Sequence, residues 1–315
     1  MLRTLVISFA ILALSLVPCA AATAPPAVEA HDAVHNTASG NEAGSPPPTP
    51  HANLAAGSSS GSGEDSAAEK ELLEAANKSR ELAGVPPLRM DESLREAARA
   101  HARRMVASGV LEHQFSDEPS LMQRIALVNS PSGGQKMDGL RLDRAGENIA
   151  YANSAGEVNQ ALMRSPPHRE NLLDGGFNVA GIAAIWSNGR LYVVQDFAHE
   201  VPSYSAQQSG KLVGRTVAEM RRQAGLPELI QLTPSTLDEA VCSLAQENSP
   251  NARLLATAYQ NRKIITYTQS RPEMLPQAAA KLLRDPEVRR FAVGACFARN
   301  AAYPTGTYWV AILLY

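Results

Sequence analysis

The sequence predicts an α+β fold, and three observations carry that prediction. Apolar residues recur at helical spacing from Leu72 to Ala83 and again from Leu94 to Val106. Much later come two β-rich runs, Val179 to Trp186 and Leu191 to Phe197, joined by Ser187-Asn188-Gly189-Arg190; Asn-Gly between apolar runs marks a hairpin. Helices first and an antiparallel pair afterwards separate the two kinds of element into layers, which is the α+β arrangement.

The chain is long enough for two ordinary domains, 315 residues with 44% apolar content. Its 29 basic and 31 acidic side chains leave a net charge of -2, which gives no polyanion signal over the whole length and speaks against a nucleic-acid binder. Three cysteines exclude a disulfide-dense scaffold, and no Cys-x-x-Cys pair or Cys/His cluster marks a structural zinc site.

Arg3 ahead of an apolar run from Leu5 to Val17, then Pro18-Cys19 and a string of alanines, has the three-part pattern of a secretory signal peptide over residues 1–24. The run is short for a spanning helix, which takes about 20 residues. The expectation is a secreted or periplasmic protein without a transmembrane span after signal removal. Leu16-Val17-Pro18-Cys19 also resembles a bacterial lipobox, so lipid anchoring at Cys19 is the alternative; Pro18 departs from the small residue that pattern wants before the cysteine.

Residues 25–66 are almost only Ala, Pro, Gly, Ser, Thr, His and Asn, with five acids and no Lys or Arg, and read as a disordered linker. Gly57-Ser58-Ser59-Ser60-Gly61 matches a nucleophile-elbow pattern formally, but lacks the strand before it and the helix after it. His31, His35 and His51 read as solvated linker histidines.

The first helix starts near Ala67 and stops at Gly84 and Pro86-Pro87; the second opens on Asp91 as N-cap and ends near Gly109. A third, short helix is predicted from Glu157 to Met163. His101 lies on the apolar stripe of the second helix and reads as a core-facing histidine.

Ala83-Gly84-Val85-Pro86-Pro87-Leu88 recurs later in the chain as Ala224-Gly225-Leu226-Pro227-Glu228-Leu229, preceded by Arg80 in one case and Arg221 in the other. Leu94-Arg95-Glu96-Ala97-Ala98 is matched by Leu237-Asp238-Glu239-Ala240-Val241, and His101-Ala102 by Leu244-Ala245. The expected organisation is two tandem copies, 67–200 and a shorter, degenerate 201–315. The second carries thirteen basic and eight acidic side chains, a formal +5, whereas the first is -3. Cys242 and Cys296 of the second read as a disulfide in an exported protein, with two buried thiols as the alternative.

The polar punctuation of the first copy is Leu111-Glu112-His113, Gly146-Glu147-Asn148-Ile149-Ala150, Ser165-Pro166-Pro167-His168-Arg169-Glu170-Asn171-Leu172-Leu173 and Val194-Gln195-Asp196-Phe197. With Asn77, Arg80, Gly84 and Pro87-Leu88 these segments resemble, in order and spacing from Leu72 to Ala198, the CAP superfamily of SCP domains. That superfamily holds cysteine-rich secretory proteins, venom antigens, pathogenesis-related proteins and their bacterial relatives. The resemblance implies an α-β-α sandwich with a cleft lined by histidines and acids, often a divalent-cation site. Carried over by position, it assigns His113, Glu147 and His168 to ligand binding and to a divalent-cation site. Leu162 stands where the family usually has tryptophan.

The residue types alone leave the chemistry open. Two imidazoles and a carboxylate suit Zn²⁺ with a fourth position for water, and equally suit a hydrogen-bonded cluster without metal. No histidine follows His199, and Lys263 and the stretch Asp285-Pro286-Glu287 fall near the Glu147 and His168 positions of the second copy. The expectation is a ligand- or metal-binding module, leaning away from an enzyme, that meets an envelope or extracellular lipid, glycan or peptide. A metal-dependent hydrolase and a structural or adhesive surface protein are the alternatives.

Overall fold

The computed structural model describes residues 6–7, 63–129, 140–260 and 262–315. The lipobox and most of the signal and linker positions discussed above lie outside them. Val6–Ile7 is a two-residue strand, β1. The described residues divide into two compact units: an N-terminal unit of residues 63–121 with 144–199, and a C-terminal unit of residues 122–129, 140–143, 200–260 and 262–315, to which β1 also belongs.

In the N-terminal unit, strand β2 (Gly63–Glu64) leads into helix α1 (Ser66–Leu82). Asp65 caps α1 by accepting from the Ala67 and Ala68 amides at 3.0 Å, and its other oxygen accepts from Trp186 Nε1. Glu64 and Asp65, assigned to the linker by composition, are thus part of the ordered start, held by contacts to residues far along the chain. Strand β3 (Arg89–Met90) precedes α2 (Glu92–Ser108), which is capped by Asp91 and stopped by Gly109 at φ 72° as the sequence indicates. Next along the chain is α3 (Leu121–Asn129), which beyond Leu121 belongs to the C-terminal unit; the N-terminal unit resumes within β4 (Leu142–Ala152) and continues through α4 (Ala155–Arg164), α5 (Pro166–Leu173), β5 (Val179–Ser187) and β6 (Arg190–Glu200). The β5–β6 hairpin turns on Asn188 and Gly189, both at positive φ (50° and 75°), as a tight primed turn requires.

The sheet order is β2-β5-β6-β4, with β3 parallel to β5. Period-two alternation builds two cores on it. Ile182, Ala184, Leu191 and Val193 face Leu72, Ala76, Leu162 and Leu172 of α1, α4 and α5, while Ala183, Ile185, Tyr192 and Val194 face Ala98, Ala102 and Met105 of α2. The result is the expected α-β-α sandwich. Gly181 permits it: a Cβ there would overlap the backbone of Leu94 and Arg95 where α2 crosses β5.

The C-terminal unit contains α6 (Ala206–Gln223), β7 (Ile230–Leu232), α7 (Leu237–Gln246), α8 (Arg253–Ala258), β8 (Lys263–Gln269), α9 (Gln277–Leu283), β9 (Arg290–Ala298) and β10 (Thr307–Leu314). Its sheet runs β1-β8-β10-β9-β7, the pairs β8–β10 and β10–β9 antiparallel. One face packs Val213, Val217 and Leu283 against Val310 and Ile312; the other packs Val241, Leu244 and Leu255 against Trp309 and Ala311. The polar connection from Leu127 to Arg144 is not all surface. Arg141 is buried, donates to Tyr308 Oη (2.8 Å) and the Ser270 carbonyl (2.7 Å), and stacks on Phe297 and Tyr308.

Cys242 of α7 and Cys296 of β9 form a disulfide, closing a loop of 54 residues. Of the two readings the sequence allowed, free thiols are excluded. Removing the bond as Cys242→Ser with Cys296→Ser is expected to lower the stability of this unit by about 4 kcal/mol, through the entropy regained by the unfolded chain. Urea unfolding with and without reductant measures it; superimposable curves would contradict the estimate.

Candidate functional site

In the N-terminal unit His101, His113 and His168 lie in one group with Glu118 and Glu147. His101, fully buried on the α2 stripe, places Nδ1 2.9 Å and 3.0 Å from the two oxygens of Glu118 and Nε2 2.8 Å from the Glu112 carbonyl. That carbonyl only accepts, so Nε2 donates. Nε2 also stands 3.9 Å from Glu147 Oε2. Glu147, on β4, accepts from His113 Nδ1 at 2.9 Å. His113 comes from the loop after α2 and retains some solvent access, whereas Glu147 is buried.

His168 completes the group from the first turn of α5, where Pro166 and Pro167 suit the opening turn of a helix. Two asparagines hold α5 against β4. Asn148 donates to the His168 carbonyl (3.0 Å), and Asn171 donates to the Glu147 carbonyl (3.2 Å) and to Asn148 Oδ1 (3.0 Å). The His113 and His168 rings lie 6.4 Å apart, centre to centre, tilted by 40°.

The His168 ring is only 3% exposed, and neither of its nitrogens has a hydrogen-bond partner among the described residues. Burial, and then the neighbouring His113, push its pKa down to about 4. At neutral pH it is therefore the uncharged imidazole that metal ligation requires.

This shift makes a stability prediction. Unfolded, the imidazole returns to its ordinary 6.5, so between pH 6.5 and about 4 the unfolded chain binds the proton and the folded one does not. Stability should be undiminished above pH 6.5 and fall by about 3 kcal/mol as the pH drops to about 4. Metal-free His168→Gln should lack that part of the fall. Parallel pH–stability curves for the two proteins would contradict the buried neutral ring.

His113, Glu147 and His168 thus lie in one group. Glu118, Asn148 and Asn171 were not singled out as site residues. His101 is buried, as its stripe position implies, but it is bonded into the same polar group rather than packed among apolar neighbours only. Glu118, a little beyond His113 in the same loop, carried no signal of its own. Among the described residues no three His, Cys, Asp or Glu side chains are gathered closely enough to chelate one ion as they stand.

A family model described as the cysteine-rich secretory protein family, CAP, matches residues 73–197. YkwD of Bacillus subtilis (strain 168) is 34% identical over 123 residues, 39% of this chain and 44% of YkwD, so the chain spans under half of that relative's length. Among solved structures, an extracellular protein containing an SCP domain from Bacillus anthracis str. Ames is 22% identical over 42% of this chain and 40% of its own, with a TM-score of 0.36. An outer surface protein of Borrelia burgdorferi is 18% identical over 44% of this chain and 99% of its own, with a TM-score of 0.38. Over residues 73–197 the chain is thus similar to CAP (SCP) domains, with a bacterial protein among its relatives.

Proposed function

We propose that the N-terminal unit is an exported, cleft-bearing binding module that takes a divalent cation, zinc first among them, at His113 and His168, with Glu147 orienting His113. The carrying observation is His168: a buried, neutral imidazole whose two nitrogens have no partner among the described residues, beside a second imidazole. An orphaned buried polar atom carries a desolvation cost, and an ion placed between the rings relieves it. The His113–Glu147 bond is the carboxylate support that ligating histidines commonly use. A bound zinc would supply Lewis acidity and a site for an exchangeable oxygen ligand. Export rests on the leader pattern of residues 1–24, and among the described residues no helix is long and apolar enough to cross a membrane.

Calorimetric titration with Zn²⁺ at pH 7.5 tests the reading. Stoichiometric binding is expected for the wild type, with loss in His113→Ala and in His168→Ala. No binding by the wild type, or binding kept by both variants, would leave the cluster as internal polar packing. Zinc-dependent turnover in peptide, ester or glycan panels, abolished by His168→Ala, would turn the module into a hydrolase; silence supports ligand binding to an envelope or extracellular partner.

We also infer that the C-terminal unit is a degenerate copy of the same fold. Arg80 donates to the carbonyls of Pro86, Leu172, Asp174 and Phe177; Arg221, its counterpart in the repeat, donates to those of Pro227, Leu283 and Asp285. Where the first copy has Glu147 and His168, the second has Lys263 and Asp285 joined as an ion pair at 3.2 Å. That pair offers no cation site.

A further inference from the structure

In the C-terminal unit, a groove of about 320 Å³ lies between α6 and the β7–β9 edge of the sheet. Buried Val217 and Phe291, with Leu229, form its apolar lining. Lys211 and Arg215, one helical turn apart on α6, stand at its side, and Gln231 of β7 lies across it. Both cations are exposed, and neither is held by a hydrogen bond or ion pair to another described residue. Like charges spaced i, i+4 on a helix repel mildly, so the arrangement is destabilising unless an anion joins them.

The matching positions on α1 of the N-terminal unit are closed. There Lys70 is paired with Glu74 at 3.7 Å, Leu73 packs into the core cluster, and Asn77 bonds both ways with the Leu88 backbone at 2.7 Å and 2.9 Å. In the C-terminal unit Arg215 replaces the acid, Gly214 replaces the leucine and Ala218 replaces the asparagine. Each change acts in one direction: one reverses a charge and two remove the side chains that fill or lace the groove. The Gln231 side chain occupies the space a Cβ at Gly214 would need, and its Nε2 is kept in place by the Gly210 carbonyl at 3.0 Å.

We propose that this groove binds an oxyanion, phosphate or carboxylate, carried on a short apolar stem. Lys211 and Arg215 would hold the anion, and Val217, Leu229 and Phe291 the stem. Arg supplies a planar donor fork for two oxygens and Lys a point charge, a combination suited to phosphate. The groove comparison rests on the copy relationship inferred above; the site itself rests on its residues, and is independent of any metal in the N-terminal unit.

The test is calorimetric titration of hexyl phosphate into the full protein, with inorganic phosphate and hexanol as separate probes. Hexyl phosphate should saturate one site, and each half-probe should bind more weakly. Arg215→Glu, an exposed substitution that restores the acid of the first copy, should weaken binding roughly ten- to a hundredfold. Gly214→Leu should weaken it by filling the groove, with circular dichroism confirming the fold of both variants. Failure to saturate, equal binding by inorganic phosphate alone, or unchanged affinity in Arg215→Glu would overturn the proposal. Sedimentation with phosphatidylglycerol vesicles separates the two sources of the same chemistry. Wild-type binding lost in Arg215→Glu assigns a lipid headgroup; hexyl phosphate binding without vesicle binding assigns a soluble amphiphile.

Discussion

Replacing Gly181 with alanine is expected to destabilise the N-terminal unit by about 5 kcal/mol, at the exceptional end for a point substitution and comparable with the whole stability of many domains. The added methyl would overlap Leu94 and Arg95 backbone atoms, which cannot rotate away as a side-chain tip can. Relief requires α2 to lift from β5. That movement would open the core of Ala98, Ala102 and Met105 against Ala183 and Val194, and carry His101 off its bonds to Glu118 and the Glu112 carbonyl. The variant should therefore lose the proposed zinc binding together with stability. Gly109→Ala is the matched control. Its Cβ meets nothing, and its cost is only the left-handed backbone at φ 72°, about 1 kcal/mol. Urea midpoints that fall equally in the two variants would show that close approach is not what Gly181 provides.

What was legible in the sequence was local. Asp91 and Gly109 bound α2, and Asn188-Gly189 turns the β5–β6 hairpin, because caps and primed turns are decided by residues adjacent in the chain. The group of His113, Glu147 and His168 was reached through the order of four family segments. Partners distant in sequence were not legible. Helical periodicity reports that His101 is buried but cannot report that Glu118 and a carbonyl wait for its nitrogens. The polar look of the Leu127 to Arg144 connection concealed Arg141, whose guanidinium stacks on Phe297 and Tyr308 near the other end of the chain. Arg80 was visible as part of the family resemblance and, with Arg221, as a marker of an expected repeat; the carbonyls they bind are not revealed by composition.

Those two arginines give the second large prediction. Arg80 is fully buried, and burial pulls its pKa down against the opposing pull of Asp174. The charge is tolerable there because four carbonyls, from the α1–β3 connection, the last turn of α5 and the α5–β5 connection, accept from the guanidinium. Arg80→Met preserves most of the apolar stem and leaves those carbonyls without a donor. At about 1 to 3 kcal/mol for each buried group left unpaired, partly recovered by water, the expected loss is about 4 kcal/mol. Arg80→Lys should rescue little of it, since one ammonium cannot reproduce a planar fork aimed at carbonyls from separate segments. Arg221→Met should cost the C-terminal unit somewhat less, about 3 kcal/mol, because three such bonds are at stake. The two tryptophans make the comparison separable: Trp186 lies in β5 of one unit and Trp309 in β10 of the other. Arg80→Met should shift the unfolding transition reported by Trp186, read in a Trp309→Phe background. Arg221→Met should shift the one reported by Trp309, read in Trp186→Phe. A large effect in each unit would mean that both chains of secondary structure close on the same buried fork, as copies of one fold should. An Arg221→Met protein that unfolds with the wild type would separate the units' architectures and remove the strongest reason for pairing them.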